Sequence, residues 1–476
     1  MPDPTEVELK LELDPADHRA IVDRLAGGRA KRAHLISTYF DTPDLTLQAH
    51  GLTLRVRKSG RKHIQTVKAG GSAAAGLFAR PEWERAVAGD QPVIDAASGP
   101  IETLLQGEPV AERFISDVRR RLWTIAADGT TIEVALDEGE VKAGTIGAAL
   151  SELELELKEG DPRALFALAR RLGTAAPLRI GVVSKSERGY GLVEGRQQRA
   201  FKAEPIMLDR HGSAGAAFAT IARSCIRQFR RNETLLLASG DADALHQARV
   251  GLRRLRSAFS LFKDLFEDDA VAARLREDLR WLAGSLGEVR NLDVLLKRTE
   301  GIVHRRLARA RAKAMTTAAA TLSSDRALAL MIDLAEWLAT GDWQYRKGAK
   351  APILPLAASL LDRHRRRLKK DGRHLARLDD EHRHHVRIDA KKLRYAAEFF
   401  GDLWIGKKVR RRRDTFLDAM EALQDTLGTL NDIATAPEIF ARYKLGEPPA
   451  HDDRAELLDR AETAHEELMD AKRFWA

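Results

Sequence analysis

The stretch Glu6-Val7-Glu8-Leu9-Lys10-Leu11-Glu12-Leu13 alternates charged and aliphatic residues without a break. A β-strand directs successive side chains to opposite faces, so the charged residues of this stretch share one face and the aliphatic residues share the other. An ordinary half-exposed strand carries mixed polar residues on its wet side. A face of carboxylates with an ammonium group among them instead predicts a strand that borders an enclosed site for metal ions and anions.

The same alternation returns further along the chain. Ser151-Glu152-Leu153-Glu154-Leu155-Glu156-Leu157-Lys158 repeats it, and Leu54-Arg55-Val56-Arg57 carries cations in place of carboxylates. Further strands are predicted over residues 37–41, 52–58, 63–68, 80–86, 114–125, 130–136, 140–145 and 152–158. Helices predicted near residues 15–25 and 162–172 could cover the aliphatic faces of these strands.

If the charged faces converge, one compartment holds two sets of side chains. The cationic set is Lys10, Arg55, Arg57, Lys68, Arg119, Arg121 and Lys185. The acidic set is Glu6, Glu8, Glu82, Glu84, Asp137, Glu152, Glu154 and Glu156. Like charges alone would repel, but interleaved they suit a metal–phosphate substrate, since arginine clamps phosphate and carboxylates hold hard divalent cations. The alternative is that these strands face solvent and form cross-strand ion pairs worth about 0.2–1 kcal/mol each. That interpretation would be favoured for a single charged strand, whereas five or more strands with one charged face favour an enclosed compartment.

The motifs resemble the CYTH family, also called the triphosphate tunnel metalloenzymes. They occur in order over residues 1–195 and include Glu6-x-Glu8-x-Lys10, Tyr39-Phe40-Asp41-Thr42, Leu54-Arg55-Val56-Arg57, Thr66-x-Lys68, Arg80-x-Glu82-x-Glu84, Glu152-x-Glu154-x-Glu156 and Ser184-Lys185-Ser186-Glu187-Arg188-Gly189-Tyr190. The resemblance implies an eight-stranded antiparallel tunnel that hydrolyses triphosphate with a divalent metal.

The resemblance also implies roles for residues. Metal ligands would be Glu6, Glu8, Glu152 and Glu154, with Glu156 and Asp137 as further candidates. The catalytic residues would be Glu6, Glu8, Lys10 and Glu154. The phosphate ligands would be the cationic set, and the cofactor would be Mg²⁺ or Mn²⁺.

Length and composition set outer limits. At 476 residues the chain predicts two or more domains, and its 31% of charged residues and lack of a long apolar run argue against a membrane span. The single cysteine, Cys225, and the absence of a signal-peptide pattern favour the cytoplasm. Residues 1–198 carry a net charge of −2 and the remainder carries +11, so the second part is expected to meet a polyanion unless its helices are merely solvated.

From about residue 213 the pattern becomes helical and contains a repeat. His246-Gln247-Ala248-Arg249-Val250-Gly251-Leu252-Arg253-Arg254-Leu255-Arg256 recurs as His384-His385-Val386-Arg387-Ile388-Asp389-Ala390-Lys391-Lys392-Leu393-Arg394. Downstream, Leu286-Gly287 is echoed by Leu427-Gly428. Two pseudo-symmetric four-helix units are the simplest interpretation.

Each copy of the repeat places basic residues on one helical stripe. The residues are His246, Arg249, Arg253, Arg256, His384, Arg387, Lys391 and Arg394. Two such stripes facing each other would form a basic groove, whereas paired with acidic neighbours they would be a solvated face. This part resembles the CHAD domain, which implies binding of inorganic polyphosphate and, in some members, localisation near polyphosphate granules.

We therefore expect a tunnel domain at residues 1–198, a linker at 199–212 and a helical polyphosphate-binding domain at 213–476. The predicted activity is metal-dependent hydrolysis of inorganic triphosphate in the cytoplasm. The alternatives are a binding protein without turnover, a thiamine or nucleoside triphosphatase, or an adenylate cyclase. The sequence argues against nucleic acid as a partner, because no helix-turn-helix or zinc finger is evident. It does not determine whether the protein forms a homo-oligomer.

Overall fold

A computed structural model of the chain describes residues 5–26, 28–69, 76–96, 98–196, 199–448 and 453–476. The chain forms two compact units. The first consists of Met1–Lys202, Ile226–Ala248 and Ala319–Gly341, and the second of Ala203–Cys225, Arg249–Ala318 and Asp342–Ala476. The division predicted at residues 199–212 stays a prediction.

The first unit contains a closed antiparallel barrel. Its strands are β1 (Thr5–Glu12), β2 (Lys31–Asp41), β3 (Leu52–Ser59), β4 (Lys62–Ala69), β5 (Leu77–Val87), β6 (Ala111–Ala127), β7 (Thr130–Ala143) and β8 (Ile146–Glu159). They pair in the order β5-β4-β3-β2-β6-β7-β8-β1, and β1 also pairs with β5, which closes the ring. A short strand β9 (Arg179–Ile180) adds to β1. The predicted eight-stranded antiparallel tunnel is thereby confirmed for the described residues.

Aliphatic side chains cover the outside of the barrel, as the alternation predicts. Helices α1 (His18–Arg24), α2 (Thr46–Ala49), α3 (Ile101–Leu105), α4 (Arg163–Gly173) and α5 (Lys185–Val193) belong to this part of the chain. Leu54 and Val56 of β3 pack in one apolar cluster with Leu47 of α2 and Ile101 of α3. The inward residues of β3 therefore remain the charged ones, because the apolar cluster holds the opposite face of the strand.

Strand β7 differs from the sequence prediction, which placed two strands over residues 130–136 and 140–145. The structure has one strand, Thr130–Ala143, that runs through Glu138-Gly139. A Cβ on Gly139 would lie 2.0 Å from the Asp117 carbonyl oxygen of β6. Gly139 thus allows two backbones to approach closely inside the ladder, and one strand replaces the two that the sequence predicted.

The rest of the chain is helical. Its long helices are α6 (Ala214–Ser239), α7 (Ala242–Leu261), α8 (Ala270–Leu296), α9 (Gly301–Leu322), α10 (Asp325–Thr340), α11 (Ile353–Asp371), α12 (Asp380–Phe400), α13 (Lys407–Arg442) and α14 (Arg454–Asp470). Short 3-10 turns lie at Pro15–Asp17, Lys263–Phe266, Asp342–Tyr345, Leu375–Arg377 and Gly401–Leu403. Within the described ranges, each helix is too short or too polar to cross a bilayer.

The helix order matches the predicted repeat. The first copy of the basic stripe lies on α7 and its Leu-Gly echo on α8, while the second copy lies on α12 and its echo on α13. Helices α6–α9 therefore correspond in chain order to α11–α14, with α10 between them. The symmetry of their packing stays a prediction.

Candidate active site

A cavity of about 280 Å³ lies inside the barrel, and all eight strands contribute side chains to its wall. Most of the residues predicted to face inward do line it. They are Glu6, Glu8, Lys10, Arg55, Arg57, Lys68, Glu82, Glu84, Asp137, Glu154, Glu156 and Lys185. The alternation thus places carboxylates and cations in one compartment, while the individual ligand roles stay predictions.

Carboxylates and cations alternate closely beside the cavity, and they include Glu152, which was predicted to face inward but is not among the lining residues. Ligand oxygens of Asp137, Glu152 and Glu154 lie within 4.8 Å of one another. Lys10 Nζ donates to Glu152 Oε1 at 3.0 Å and to Glu154 Oε1 at 2.9 Å. Lys185 Nζ lies 2.8 Å from Glu154 Oε1 and 2.7 Å from Asp137 Oδ2, and it also pairs with Glu152. These contacts hold the three carboxylates close to one another.

Helix α5 positions Lys185 through its own N-terminus. Ser184 accepts a hydrogen bond from the Glu187 amide, and the Glu187 carboxylate accepts one from the Ser184 amide. This capping box begins the helix directly before Lys185, which directs the ammonium group at the carboxylates.

The cations control the ionisation of the deep carboxylates. Burial alone would raise the pKa of Glu154, but Lys10, Lys185 and Arg120 outweigh it and hold that pKa well below its usual value. Burial would likewise raise the pKa of Asp137, and Lys185 and Arg120 lower it instead. Both groups are therefore ionised at neutral pH.

The donor set fits a hard divalent cation. Glu152 is fully buried, and its Oε2 atom has no hydrogen-bond partner among the described residues. A buried carboxylate oxygen without a donor is costly, and oxygen ligands are those that Mg²⁺ and Mn²⁺ prefer. Asp137, Glu152 and Glu154 could hold such an ion if it competed with the ammonium groups beside them.

Glu8 lies on the same face of β1 as Glu6 and Lys10, and it is 4% exposed. Burial raises its pKa, and the charges of Glu154 and Glu6 raise it further. Lys68 offsets part of this negative charge, since its Nζ lies 2.6 Å from Glu6 Oε2 and 3.1 Å from Glu82 Oε2. This wall has more negative charge than its cations balance, so it would also favour a bound cation.

The opposite electrostatic imbalance surrounds Arg57. Burial, together with the neighbouring charges of Arg55 and Arg120, lowers the pKa of Arg57 to about 10. Arg55 lies 3.8 Å from Glu82 and also bonds to Tyr39. No ion-pair partner of Arg57 is found in the described part of the chain. Arg57 is therefore available to attract an anionic group that enters the cavity.

Strand β6 corrects one prediction. Arg119 and Arg121 were expected to face inward, but Ser116, Val118, Arg120 and Leu122 line the cavity instead. Arg119 is exposed, and strand alternation puts Arg121 on the same outer face. Three consecutive arginines do not show which of the two strand faces points inward. The face with Arg119 and Arg121 was predicted to do so, and this prediction is wrong.

The other acidic residues differ in depth. Glu152 and Glu154 of β8 are held by the deep cations, whereas Glu156 pairs with Lys158 and is 29% exposed. Lys158 also lies 3.3 Å from Glu133. Glu84 accepts a hydrogen bond from Thr66 at 2.9 Å. Within the described residues, neither Glu156 nor Glu84 belongs to the cluster of potential metal ligands.

Several further residues line the cavity that do not belong to the predicted cationic and acidic sets. Besides Arg120, these are Ser37, Tyr39, Thr53, Ser116, Glu133, Lys158, Ser184 and Ser186. Ser37 and Tyr39 follow the alternation of β2, so their parity could have indicated them. Asp41, in contrast, is structural, because it accepts hydrogen bonds from the Leu47 and Gln48 amides and from the Tyr190 hydroxyl.

A second group of cations lies in the second unit and combines both basic stripes. Burial, together with the charges of Arg387, Arg253 and Arg249, lowers the pKa of Lys391 to about 7. Burial also lowers the pKa of Arg249 to about 10, with Arg253 and Arg290 contributing. We refer to Arg249, Arg253, Arg290, Arg387 and Lys391 as the arginine cluster. Arg290 was not among the predicted residues.

The repeated glycines make room for this cluster. A Cβ on Gly287 would lie 3.1 Å from Arg249 Nη1, and one on Gly428 would lie 3.8 Å from Arg387 Nη2. Equivalent arginines of the two copies thus pass beside equivalent glycines, which gives the Leu-Gly repeat a physical reason.

The remaining stripe residues lie apart from these contacts. Arg394 Nε donates to Glu398 at 2.8 Å, and Arg256 is exposed. The exposed His384 pairs with the Asn431 side chain at 2.7 Å. For His246, which belongs to the first unit, the role as a polyphosphate ligand stays a prediction.

Comparisons with known proteins agree with both resemblances. The CYTH domain family matches residues 4–190, and the CHAD domain family matches residues 220–441. An inorganic triphosphatase of Haemophilus influenzae is 31% identical over 197 residues, which cover 39% of this chain and 54% of that protein. The chain thus spans about half the length of this curated relative.

Two solved structures are also similar. The CHAD domain from the plant Ricinus communis is 27% identical, with a TM-score of 0.47, and the match covers 58% of this chain and 93% of that one. HpAC1 from Hippeastrum, a candidate adenylyl cyclase with a dominant triphosphatase activity, is 19% identical, with a TM-score of 0.30 over 40% of this chain and 96% of that one. The two family matches follow each other along the sequence. The chain therefore carries a CYTH domain over residues 4–190, followed by a CHAD domain over residues 220–441.

Proposed function

We propose that the barrel hydrolyses inorganic triphosphate with the help of a divalent cation. The observation that carries the proposal is a single cavity whose lining brings the arginines Arg55, Arg57 and Arg120 together with carboxylates such as Glu6 and Glu8. A triphosphate–metal complex carries both kinds of charge, so the cations and the carboxylates would both find their complement in the same ligand. The similar Haemophilus protein is named an inorganic triphosphatase, and this supports the same class of reaction.

The side chains of the barrel supply binding, orientation and charge stabilisation. Phosphoryl transfer depends mainly on positioning and on neutralising the negative charge of the transferring group. Arg57 and Arg120 would bind the phosphoryl oxygens, because arginine matches their geometry with paired donors. Lys10 and Lys185, already held between carboxylates, would add positive charge beside them.

Carboxylates of the barrel would hold the cation. Glu6, Glu8, Glu152 and Glu154 are the candidates from the sequence, with Asp137 and Glu156 as further ones, and the geometry favours the group of Asp137, Glu152 and Glu154. When bound, the ion would neutralise phosphate charge and help orient the attacking water.

The test is a phosphate-release assay with tripolyphosphate, long-chain polyphosphate, nucleoside triphosphates and thiamine triphosphate, each with and without Mg²⁺ or Mn²⁺. We expect the fastest release from tripolyphosphate and loss of activity on removal of divalent metal. Glu8→Gln should abolish metal-dependent release without changing the thermal melting temperature greatly. Release from no substrate would favour a binding protein without turnover, and cyclic AMP production from ATP would favour a cyclase.

We also propose that the arginine cluster binds inorganic polyphosphate. Five cations lie together there, and Asp432 is a nearby acidic group that raises the pKa values of Arg387 and Lys391 only in part. A chain of phosphates would supply the missing negative charge, and its affinity should fall as salt rises.

The arginine-cluster proposal is tested in the full chain by titration with long-chain polyphosphate. Arg249→Ala combined with Arg387→Ala should weaken binding by about tenfold or more, a loss of at least 1.4 kcal/mol. The matched control replaces the exposed Arg305 and Arg309 of α9, which removes the same charge elsewhere. Equal affinity of both double variants would refute the cluster as the binding site.

A further inference from the structure

A second cavity, of about 220 Å³, lies outside the barrel in the first unit. We call it the outer pocket. Its wall is built from the end of β1 at Glu12, strand β9, the first turns of α5 and residues 230–235 of α6. None of its lining residues lines the barrel cavity, so it is a separate site.

Arginine dominates the outer pocket. Five arginines line it, against two glutamates, and they are Arg188, Arg196, Arg199, Arg230 and Arg231. Both glutamates are already engaged by other groups. Glu187 accepts a hydrogen bond from Arg227 at 2.7 Å and caps α5, and Glu12 accepts one from Arg188. The lining therefore has more cationic than anionic residues, and of its arginines Arg196 also pairs with Glu194 outside the pocket.

Arg230 is the buried cation of this pocket, with 2% of its side chain exposed. Its Nε atom donates to the Ile180 carbonyl at 2.9 Å, and Nη1 pairs with Glu233. Nη2 has no hydrogen-bond acceptor among the described residues, and the Glu12 carboxylate is 3.8 Å away. The Nε atom of Arg188 is likewise buried without an acceptor.

Unused donors on buried arginines are costly. Burial lowers the pKa of Arg230 to about 10, with Arg179 contributing, although Glu12 acts against it. An oxyanion bound beside Arg230 and Arg188 would accept the open donors and balance the excess charge. The apolar side of the pocket, with Val182, Phe201 and Leu235, would strengthen these contacts by excluding water.

The size and donor pattern define the ligand class. Sites for drug-sized molecules usually occupy about 300–1,000 Å³, so this pocket suits a smaller ligand. Arginine binds tetrahedral oxyanions through paired donors. We propose that the outer pocket is a second anion site, which binds inorganic phosphate or diphosphate independently of the barrel.

Thr234 provides a test that leaves the arginines in place. It is an exposed residue of α6 that lines the pocket. Thr234→Glu would add a negative charge to the wall, whereas Thr234→Gln adds a side chain of the same size without charge. The comparison therefore isolates electrostatics from shape.

The experiment is calorimetric titration of the full-length protein with inorganic phosphate and, separately, with diphosphate. We expect Thr234→Glu to lose one equivalent of bound anion or to weaken that site by about tenfold or more, and Thr234→Gln to match the wild type. Arg199→Ala, at the exposed rim, should weaken the same site. The tighter of the two titrants identifies the ligand.

Unchanged stoichiometry and affinity in both Thr234→Glu and Arg199→Ala would overturn the proposal. Equal losses in Thr234→Glu and Thr234→Gln would also overturn it, since charge would then play no part. Phosphate release from tripolyphosphate, measured on the same samples, reports on the barrel separately, so failure of the one proposal is distinguishable from failure of the other.

Discussion

Arg120 of β6 lies directly opposite Asp137 of β7 and forms two hydrogen bonds to it, Nε to Oδ1 at 2.7 Å and Nη2 to Oδ2 at 2.6 Å. The same Nη2 atom also lies 2.5 Å from Glu154 Oε2. One guanidinium group thus joins two buried carboxylates and borders the cavity beside Arg57. Its neighbours along the strand, Arg119 and Arg121, do not line that cavity.

This geometry predicts opposite results for adjacent arginines. Arg120→Ala should reduce kcat/KM for tripolyphosphate by about 10²–10³-fold, the usual cost of losing a donor that stabilises a developing charge. Arg121→Ala should retain activity within a few-fold of the wild type, because its side chain lies on the outer face. Steady-state phosphate release measures both, and equal effects of the two changes would argue against the assignment.

Lys391 predicts a pH dependence of polyphosphate binding. Its pKa is lowered to about 7 by burial and by Arg387, Arg253 and Arg249, so it gains its charge as the pH falls from 8 to 6. Affinity for long-chain polyphosphate should therefore rise over that interval. Lys391→Arg should bind with a flatter pH profile, since arginine stays charged. A wild-type profile as flat as that of the variant would contradict the prediction.

The same residue predicts a change in stability. The folded-state pKa of about 7 lies below the ordinary value of 10.5, so the unfolded chain binds more protons between these values. Stability should rise with pH across that window, and the cost of the charged lysine is fully present below about pH 7. Lys391→Met should therefore raise the melting temperature most at pH 6 and least at pH 10. A larger gain in melting temperature at pH 10 than at pH 6 would contradict the prediction that the charged Lys391 destabilises the fold.

Two glycines predict stability effects of opposite sign. Gly284 lies in the interior of α8, and a Cβ there would meet no atom within 4 Å, so Gly284→Ala should stabilise the fold by about 0.5–1 kcal/mol. Gly189 of α5 is different, because a Cβ there would lie 2.1 Å from the Phe114 ring. Gly189→Ala should destabilise the fold by about 1–3 kcal/mol through overpacking. Denaturant unfolding of the two variants measures both signs.

Strand alternation explains which site residues could be predicted. On β1, β3 and β8 charged residues alternate with aliphatic ones over most of the strand, so the aliphatic partners reveal which face is inward. On β6 the run Arg119-Arg120-Arg121 carries no such marker, and the register relative to Asp137 depends on how β6 pairs with β7. The continuity of β7 through Gly139 could not be predicted either, since close approach of two backbones leaves no local signal in the sequence.

In the helical part, too, local patterns predicted some site residues and only the folded structure revealed others. The repeat located the basic stripes because helical periodicity is a local property of the chain. Arg290 escaped notice because it lies on another helix and joins Arg249 only through folding.

The sequence by itself determined the two-part organisation, the alternating charged strands and the duplicated basic helices. Each of them follows from the spacing of charged and apolar residues along a short stretch of chain. Only the tertiary structure decided that Arg120 rather than its neighbours enters the barrel, that Lys391 lies buried among arginines, and that Arg230 keeps an open donor in the outer pocket. These properties depend on burial and on charges contributed by distant segments, and no local pattern encodes them.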